Sequence, residues 1–366
     1  MPIWKRNLIV CWFGMFVTGV GMSQIAPILP LYIKQLGVDQ ADAVARYSGL
    51  AFGITFIVSA IFSPIWGLAA DKYGRKPMLL RASLGMAIII GCMGFATHVY
   101  VLIALRLLQG IITGYSTVCT TLIATQTDKA HAGGALGLLS TSNIAGSLLG
   151  PSIGGFIAEN AGIPNTFFLT GVLMLIAFIT TWLFVKETFV RTDEKVAGMK
   201  EVWEAVPEKS LTLTLFATFF MLSVAMYSVE PVLTVYVNEI SRNSGHVALL
   251  AGILFIPQAL AQNPWELMGL RFLLGLAAGG LSPSVNTLIK KITPEHLTGR
   301  VYGFSMAAGY LGVFAGSVLG GQVAAWLGVP YVFLTTSVLL LINAVWVYTK
   351  VYKKMKEPGQ SALIQR

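Results

Sequence analysis

Two ionisable residues sit where ionisable residues seldom sit, well inside long apolar stretches: Arg106 in VLIALRLLQG and Glu230 in MLSVAMYSVE. A charge at the centre of a bilayer costs about 2.5 to 3.5 kcal/mol on insertion scales, so each needs a partner or an aqueous cavity. A carboxylate that alternates between apolar and watery surroundings can bind and release a proton near neutral pH, which makes Glu230 the first candidate proton carrier. The same position is also compatible with a glutamate at the mouth of a span that simply meets water, and Arg106 with an arginine that snorkels to the nearer surface. Six uncharged polar residues share the apolar stretches: Gln24, Gln109, Tyr115, Asn143, Tyr227 and Asn286. They are candidates to line a mostly apolar pocket, and each is equally able to bond one helix to another, at about 0.6 kcal/mol on average.

Other chemistries lack their residues. Cys11, Cys92 and Cys119 lie in apolar runs without metal-ligand spacing and read as small buried hydrophobes. Nothing resembles a Walker loop, a nucleophile triad or a metal cluster, so neither an enzyme nor an ATP-driven machine is expected, and neither cofactor nor metal. The net charge of +9 is scattered through short loops and forms no stripe, which argues against nucleic acid.

The elements that must position these residues follow from composition. Of 366 residues, 55% are apolar and 11% charged, with a mean hydropathy of +0.73; about 25% charged is usual for a soluble chain. Apolar runs fall near residues 8–33, 48–70, 78–96, 99–123, 134–158, 163–185, 211–237, 246–262, 267–289, 300–325 and 328–349. Without period-2 alternation they are helices rather than barrel strands, and most are long enough to cross a bilayer core of about 30 Å. The fold class expected is therefore an all-α membrane protein of about eleven hydrophobic helices. With the N-terminus in the cytoplasm, 20 Lys and Arg residues fall inside, Lys34, Arg46 and Arg242 outside, and Arg106 and Arg271 within spans. The polar stretch around 188–210 is the expected linker between a six-helix bundle (1–187) and a second bundle (211–366).

The two parts repeat. QIAPILPLYIKQL from Gln24 aligns with SVEPVLTVYVNEI from Ser228 at an offset of 204, pairing Pro27 with Pro231 and Tyr32 with Tyr236. RLLQGIITG from Arg106 aligns with RFLLGLAAG from Arg271 at 165, and AGSLLG at Ala145 with AGSVLG at Ala315 at 170. The fall from 204 to 165 means that the second half lacks about 39 residues, spanning the end of one helix, a cytoplasmic loop and the start of the next. Residues 246–262 should then begin and end outside, although they form one membrane-length run.

Three motifs stand in register: GLAADKYGRKP (Gly67 to Pro77), RLLQG (Arg106 to Gly110) and GPSIGG (Gly150 to Gly155). Together they resemble the signatures of the major facilitator superfamily, with Ala69 where leucine is usual, and within it the twelve-span multidrug efflux proteins of the drug:proton antiporter branch. The resemblance implies a two-bundle fold and proton-driven export of lipophilic compounds by alternating access, carried by a monomer in the plasma or inner membrane. It implies a cytoplasmic latch at Gly67, Asp71, Gly74, Arg75 and Lys76, a coupling role for Arg106, and a leak-restricting helix around Gly146, Gly150, Pro151, Gly154 and Gly155. Uptake or exchange of a small metabolite on the same scaffold, or an internally deleted chain that inserts without transporting, remain alternatives.

Overall fold

In the computed structural model, residues 2–187, 209–240, 265–267, 269–270 and 298–347 are described. Among them there are helices and no strands: α1 (Ile3–Gln35), α2 (Ala41–Tyr73), α3 (Arg75–Met93), α4 (Val99–Ile112), α5 (Tyr115–Gln126), α6 (Lys129–Ala161), α7 (Ile163–Phe184), α8 (Lys209–Ile240), α9 (Thr298–Leu327) and α10 (Val329–Val347). The chain divides into two compact units, Met1–Asp193 and Glu194–Arg366. The runs at 246–262 and most of 267–289 lie outside the described residues.

In the first unit α1 is the central packing element, lying against α6, α7, α2 and α5, while α3 packs on α7, α4 and α5, and α2 on α4. Small residues decide how close α1 and α6 come. A Cβ on Gly146 would stand 2.5 Å from the Phe16 carbonyl oxygen, and one on Gly150 2.7 Å from that of Val20. Any side chain there would push the backbones apart, so this stretch of α6 trades apolar surface for proximity. The fourth apolar run, expected to be one helix, is two. It breaks between Ile112 and Tyr115, where Gly114 adopts φ +120, a backbone conformation that side chains with a Cβ rarely take.

In the second unit α8 packs against α9 and α10. Here a Cβ on Gly312 would stand 2.5 Å from the Phe220 carbonyl oxygen, and one on Gly316 2.9 Å from Val224 Cα. The three-dimensional correspondence extends past the sequence matches given above. GIPNTFFLT from Gly162 and GVPYVFLTT from Gly328 start α7 and α10 alike, with φ of +91 and +99 at the two glycines. Phe167 and Phe333 are both enclosed, at 2% and 0% exposure.

Candidate functional site

Arg106 is fully enclosed, and it lies against α2 rather than reaching a surface. Its Nε donates to the Ala51 carbonyl (2.9 Å), Nη2 to that of Phe52 (3.3 Å) and Nη1 to Gln109 Oε1 (2.7 Å). The guanidinium carbon stands 5.8 Å from the Phe52 ring centroid. Helix carbonyls and an amide oxygen thus meet the charge where water cannot, and no carboxylate among the described residues is bonded to it. The motif around it joins α2 to α4: Thr55 Oγ1 donates to the Arg106 carbonyl (2.8 Å), Ser59 Oγ to that of Gly110 (3.3 Å), and a Cβ on Gly110 would come 2.5 Å from the Thr55 oxygen.

Gln24 and Gln109 are buried as well. Gln24 Nε2 donates to Thr170 Oγ1 on α7 and Gln109 Nε2 to Met22 Sδ at 3.7 Å, while a Cβ on Gly154 would touch the Gln24 side chain at 2.7 Å. Tyr115 is enclosed at the start of α5, its hydroxyl 3.1 Å from Thr181 Oγ1 and its ring filling the space left by Gly14 of α1. Asn143, Pro151, Gly155 and Tyr227 are half-buried. The structure therefore brings Arg106 and Gln109 together, places Gln24 beside Gly154, and holds Tyr115 apart from both. The Asp71 and Glu230 side chains, Arg271 and Asn286 lie outside what is described.

At the α2–α3 turn, Gly74 (φ +96) reverses the chain so that α3 starts at Arg75. The first turn of a helix leaves amides without partners. Here Glu187, just past the end of α7, takes two of them: Arg75 N donates to Oε1 (2.8 Å) and Lys76 N to Oε2 (2.7 Å). A carboxylate at this end also faces the positive pole of the helix. Lys76 Nζ reaches back to the Trp182 carbonyl at 2.9 Å. Beside this, Asn7 Nδ2 donates to Gln126 Oε1 (2.6 Å) and to the Lys186 carbonyl (2.7 Å), and Lys186 N returns a bond to Asn7 Oδ1 (3.1 Å). The ends of α1, α3, α5 and α7 are thereby tied by one short segment, Val185 to Glu187. Of the latch residues, Gly67 is exposed with open space around it.

Sequence reasoning took Lys186 and Glu187 for the end of the first bundle, where it meets the linker, and missed their role. The signal was an acid immediately after an apolar run, in a unit whose third helix begins with two free amides behind a glycine. It also counted Arg81 only as one of the cytoplasmic charges that set topology. Arg81 stands in the second turn of α3, where its Nη2 donates to the Thr113 carbonyl at 3.1 Å and its guanidinium carbon stacks 3.7 Å from the Trp66 ring centroid.

Comparison with known proteins gives this arrangement its family. The sequence model of the Major Facilitator Superfamily matches residues 11–257 and 242–365. The chain belongs to that superfamily. Multidrug resistance protein MdtG of Salmonella paratyphi B and that of Salmonella arizonae are each 36% identical over 394 aligned positions, covering 97% of this chain and 98% of the relative. Those 394 positions exceed the 366 residues of the chain, so the relatives hold residues that it lacks. The crystal structure of the human organic anion transporter MFSD10 (TETRAN) superposes with a TM-score of 0.69 over 95% of this chain and all of that one, at 17% identity, which speaks to the fold alone. As a superfamily member the chain is a multi-pass membrane transporter of small substrates and not an enzyme. Within the described residues, α1, α2, α3, the α4–α5 pair, α7 and α9 are long and apolar enough to cross a bilayer.

Proposed function

We propose that this transporter exports lipophilic or amphipathic compounds across the plasma or inner membrane, driven by protons moving inward. The single observation behind this reading is the likeness, over nearly the whole chain, to a protein named for multidrug resistance. The enclosed Arg106, bonded to helix carbonyls and Gln109, supports a role as a fixed positive charge near the proton route. Glu230 is the proton carrier in this reading. Gln24, Gln109, Tyr115, Asn143, Tyr227 and Asn286 are the polar groups that a lipophilic guest meets as the bundles alternate between inward and outward access. Gly67, Asp71, Gly74, Arg75 and Lys76 form the cytoplasmic latch. The glycine face of α6, from Gly146 to Gly155 with Pro151, restricts leak. The protein acts as a monomer with its N-terminus in the cytoplasm.

Ethidium efflux from cells producing the chain, measured with and without the proton gradient, tests this. Efflux that stops when nigericin and valinomycin collapse the gradient is expected; efflux that persists would overturn the coupling. A second reading, a chain that inserts but does not cycle, is favoured by the residues that relatives hold and this chain lacks. It requires full membrane insertion with no efflux at all. The topology has its own test. Cysteines placed at Lys291 and Lys353 should be shielded from an impermeant thiol reagent in sealed cells, and ready labelling of both would mean that the second half is inverted.

A further inference from the structure

The break in the fourth span lies at membrane depth. At 1.5 Å per residue, the 14 residues of α4 and the 12 of α5 measure about 21 and 18 Å, so neither piece alone crosses a core of about 30 Å. Backbone groups left open there have no water to turn to. In an unbroken helix the Ile111 carbonyl would accept from the Tyr115 amide and that of Thr113 from Thr117. Instead Trp66 Nε1 donates to the Ile111 oxygen at 2.6 Å and Arg81 Nη2 to the Thr113 oxygen at 3.1 Å. The two side chains brace each other, with the guanidinium carbon 3.7 Å from the Trp66 ring centroid. The helix restarts beyond Gly114, where Val118 N donates to the Gly114 carbonyl at 3.1 Å. Side chains from α2 and α3 therefore stand in for two of the four amides that would otherwise carry the helix through.

We propose that Arg81 and Trp66 are positioning residues for transport: they hold the fourth span in two pieces, so that α5 moves as a segment of its own about Gly114. Without them, the nearest donors for the carbonyls of Ile111 and Thr113 are the amides of Tyr115 and Thr117, and the span closes into one helix. Gly114 permits both forms, since glycine takes φ +120 and the right-handed helical conformation about equally well.

The proposal rests on the chain being a transporter and not on what it carries, so its first readout needs no substrate. Hydrogen exchange on the full-length protein in nanodiscs, followed by mass spectrometry of peptides covering Ile111–Cys119, reports whether the break persists. Arg81→Leu should slow exchange in these peptides about tenfold as the helix closes, and Gly114→Ala, which keeps the Arg81 and Trp66 side chains, should do the same. Arg81→Lys, which keeps a donor but loses the stacked plane, should fall between Arg81→Leu and the parent. Ethidium transport in everted vesicles should drop at least about tenfold in maximal rate for Arg81→Leu, with half-saturation changed less than about twofold. Exchange as fast as the parent's in both Arg81→Leu and Gly114→Ala would overturn the clamp, and slowed exchange with undiminished transport would overturn its role in the cycle. If the parent itself moves no ethidium, the drug-export reading fails and the exchange result still decides the clamp.

Discussion

The helix trio α1, α6, α7 of the first unit and the trio α8, α9, α10 of the second solve one packing problem with different amounts of polarity. Both put glycines against a neighbouring backbone, Gly146 and Gly150 in one, Gly312 and Gly316 in the other. Both start their last helix with Gly-x-Pro and both bond a threonine hydroxyl across the trio. In the first unit the Thr170 hydroxyl meets the long Gln24 amide, whereas in the second the Thr336 hydroxyl meets the short Ser228 hydroxyl at 2.6 Å. The shared parts are those that set helix spacing. The differing parts are polar: among the described residues, the α2–α3 turn capped by Glu187 and the break at Gly114 lie in the first unit, and Glu230 lies in the second. The repeat thus preserves spacing while the polar groups differ.

The largest expected effect removes the charge peculiar to the second unit. Glu230→Gln should abolish gradient-driven efflux while leaving insertion intact; proton-coupled efflux surviving in the mutant would take the carrier role from Glu230. Next come matched overpacking substitutions. Gly150→Leu and, at the matching place one turn past Gly316 in α9, Gly320→Leu each force a side chain into backbone contact, with Val20 in one and Ser228 in the other, at a cost of about 1–3 kcal/mol or more. Both should leave little monodisperse protein on size exclusion, and damage from Gly150→Leu alone would show that the second glycine face is not the equivalent of the first.

Smaller effects sharpen the contrast. Glu187→Gln keeps the shape of the cap but removes its charge, which is worth about 0.5–2 kcal/mol at a helix N-terminus. The melting temperature should fall by a few degrees, and a melting temperature equal to the parent's would reduce the cap to a crossing of chains. The smallest change is expected from Thr170→Val and Thr336→Val, at about 0.6 kcal/mol each. Comparable losses in thermal melts would make the two bonds equivalent, while a clearly larger one for Thr170→Val would assign the first trio's extra polarity to stability.

What could be read from sequence and what could not divides along physical lines. The spans, the two-part repeat and the family were legible because apolar length, Pro27 against Pro231, and the glycine-bearing motifs are properties of consecutive residues. The break at Gly114 was hidden, since no proline marks it and the side chains that meet its open carbonyls, Arg81 and Trp66, come 33 and 48 positions before Gly114. Glu187 left only a local signal, an acid just past an apolar run, because its partners are amides more than 100 residues earlier. For Gln24, Gln109 and Tyr115, residue type cannot separate a cavity wall from a bond between helices, and only the neighbours brought in by folding show each of them enclosed and bonded.

The tie between Asn7 and Lys186 also sets a clock for biosynthesis. Its two ends are separated by 179 positions. At a synthesis rate of about 5–20 residues per second, the ribosome delivers Lys186 about 9 to 36 s after Asn7. Until Gln126 has been made, 60 residues before Lys186, the Asn7 amide at the start of α1 has only water to bond. The unit can close on itself only once its sixth span has been threaded.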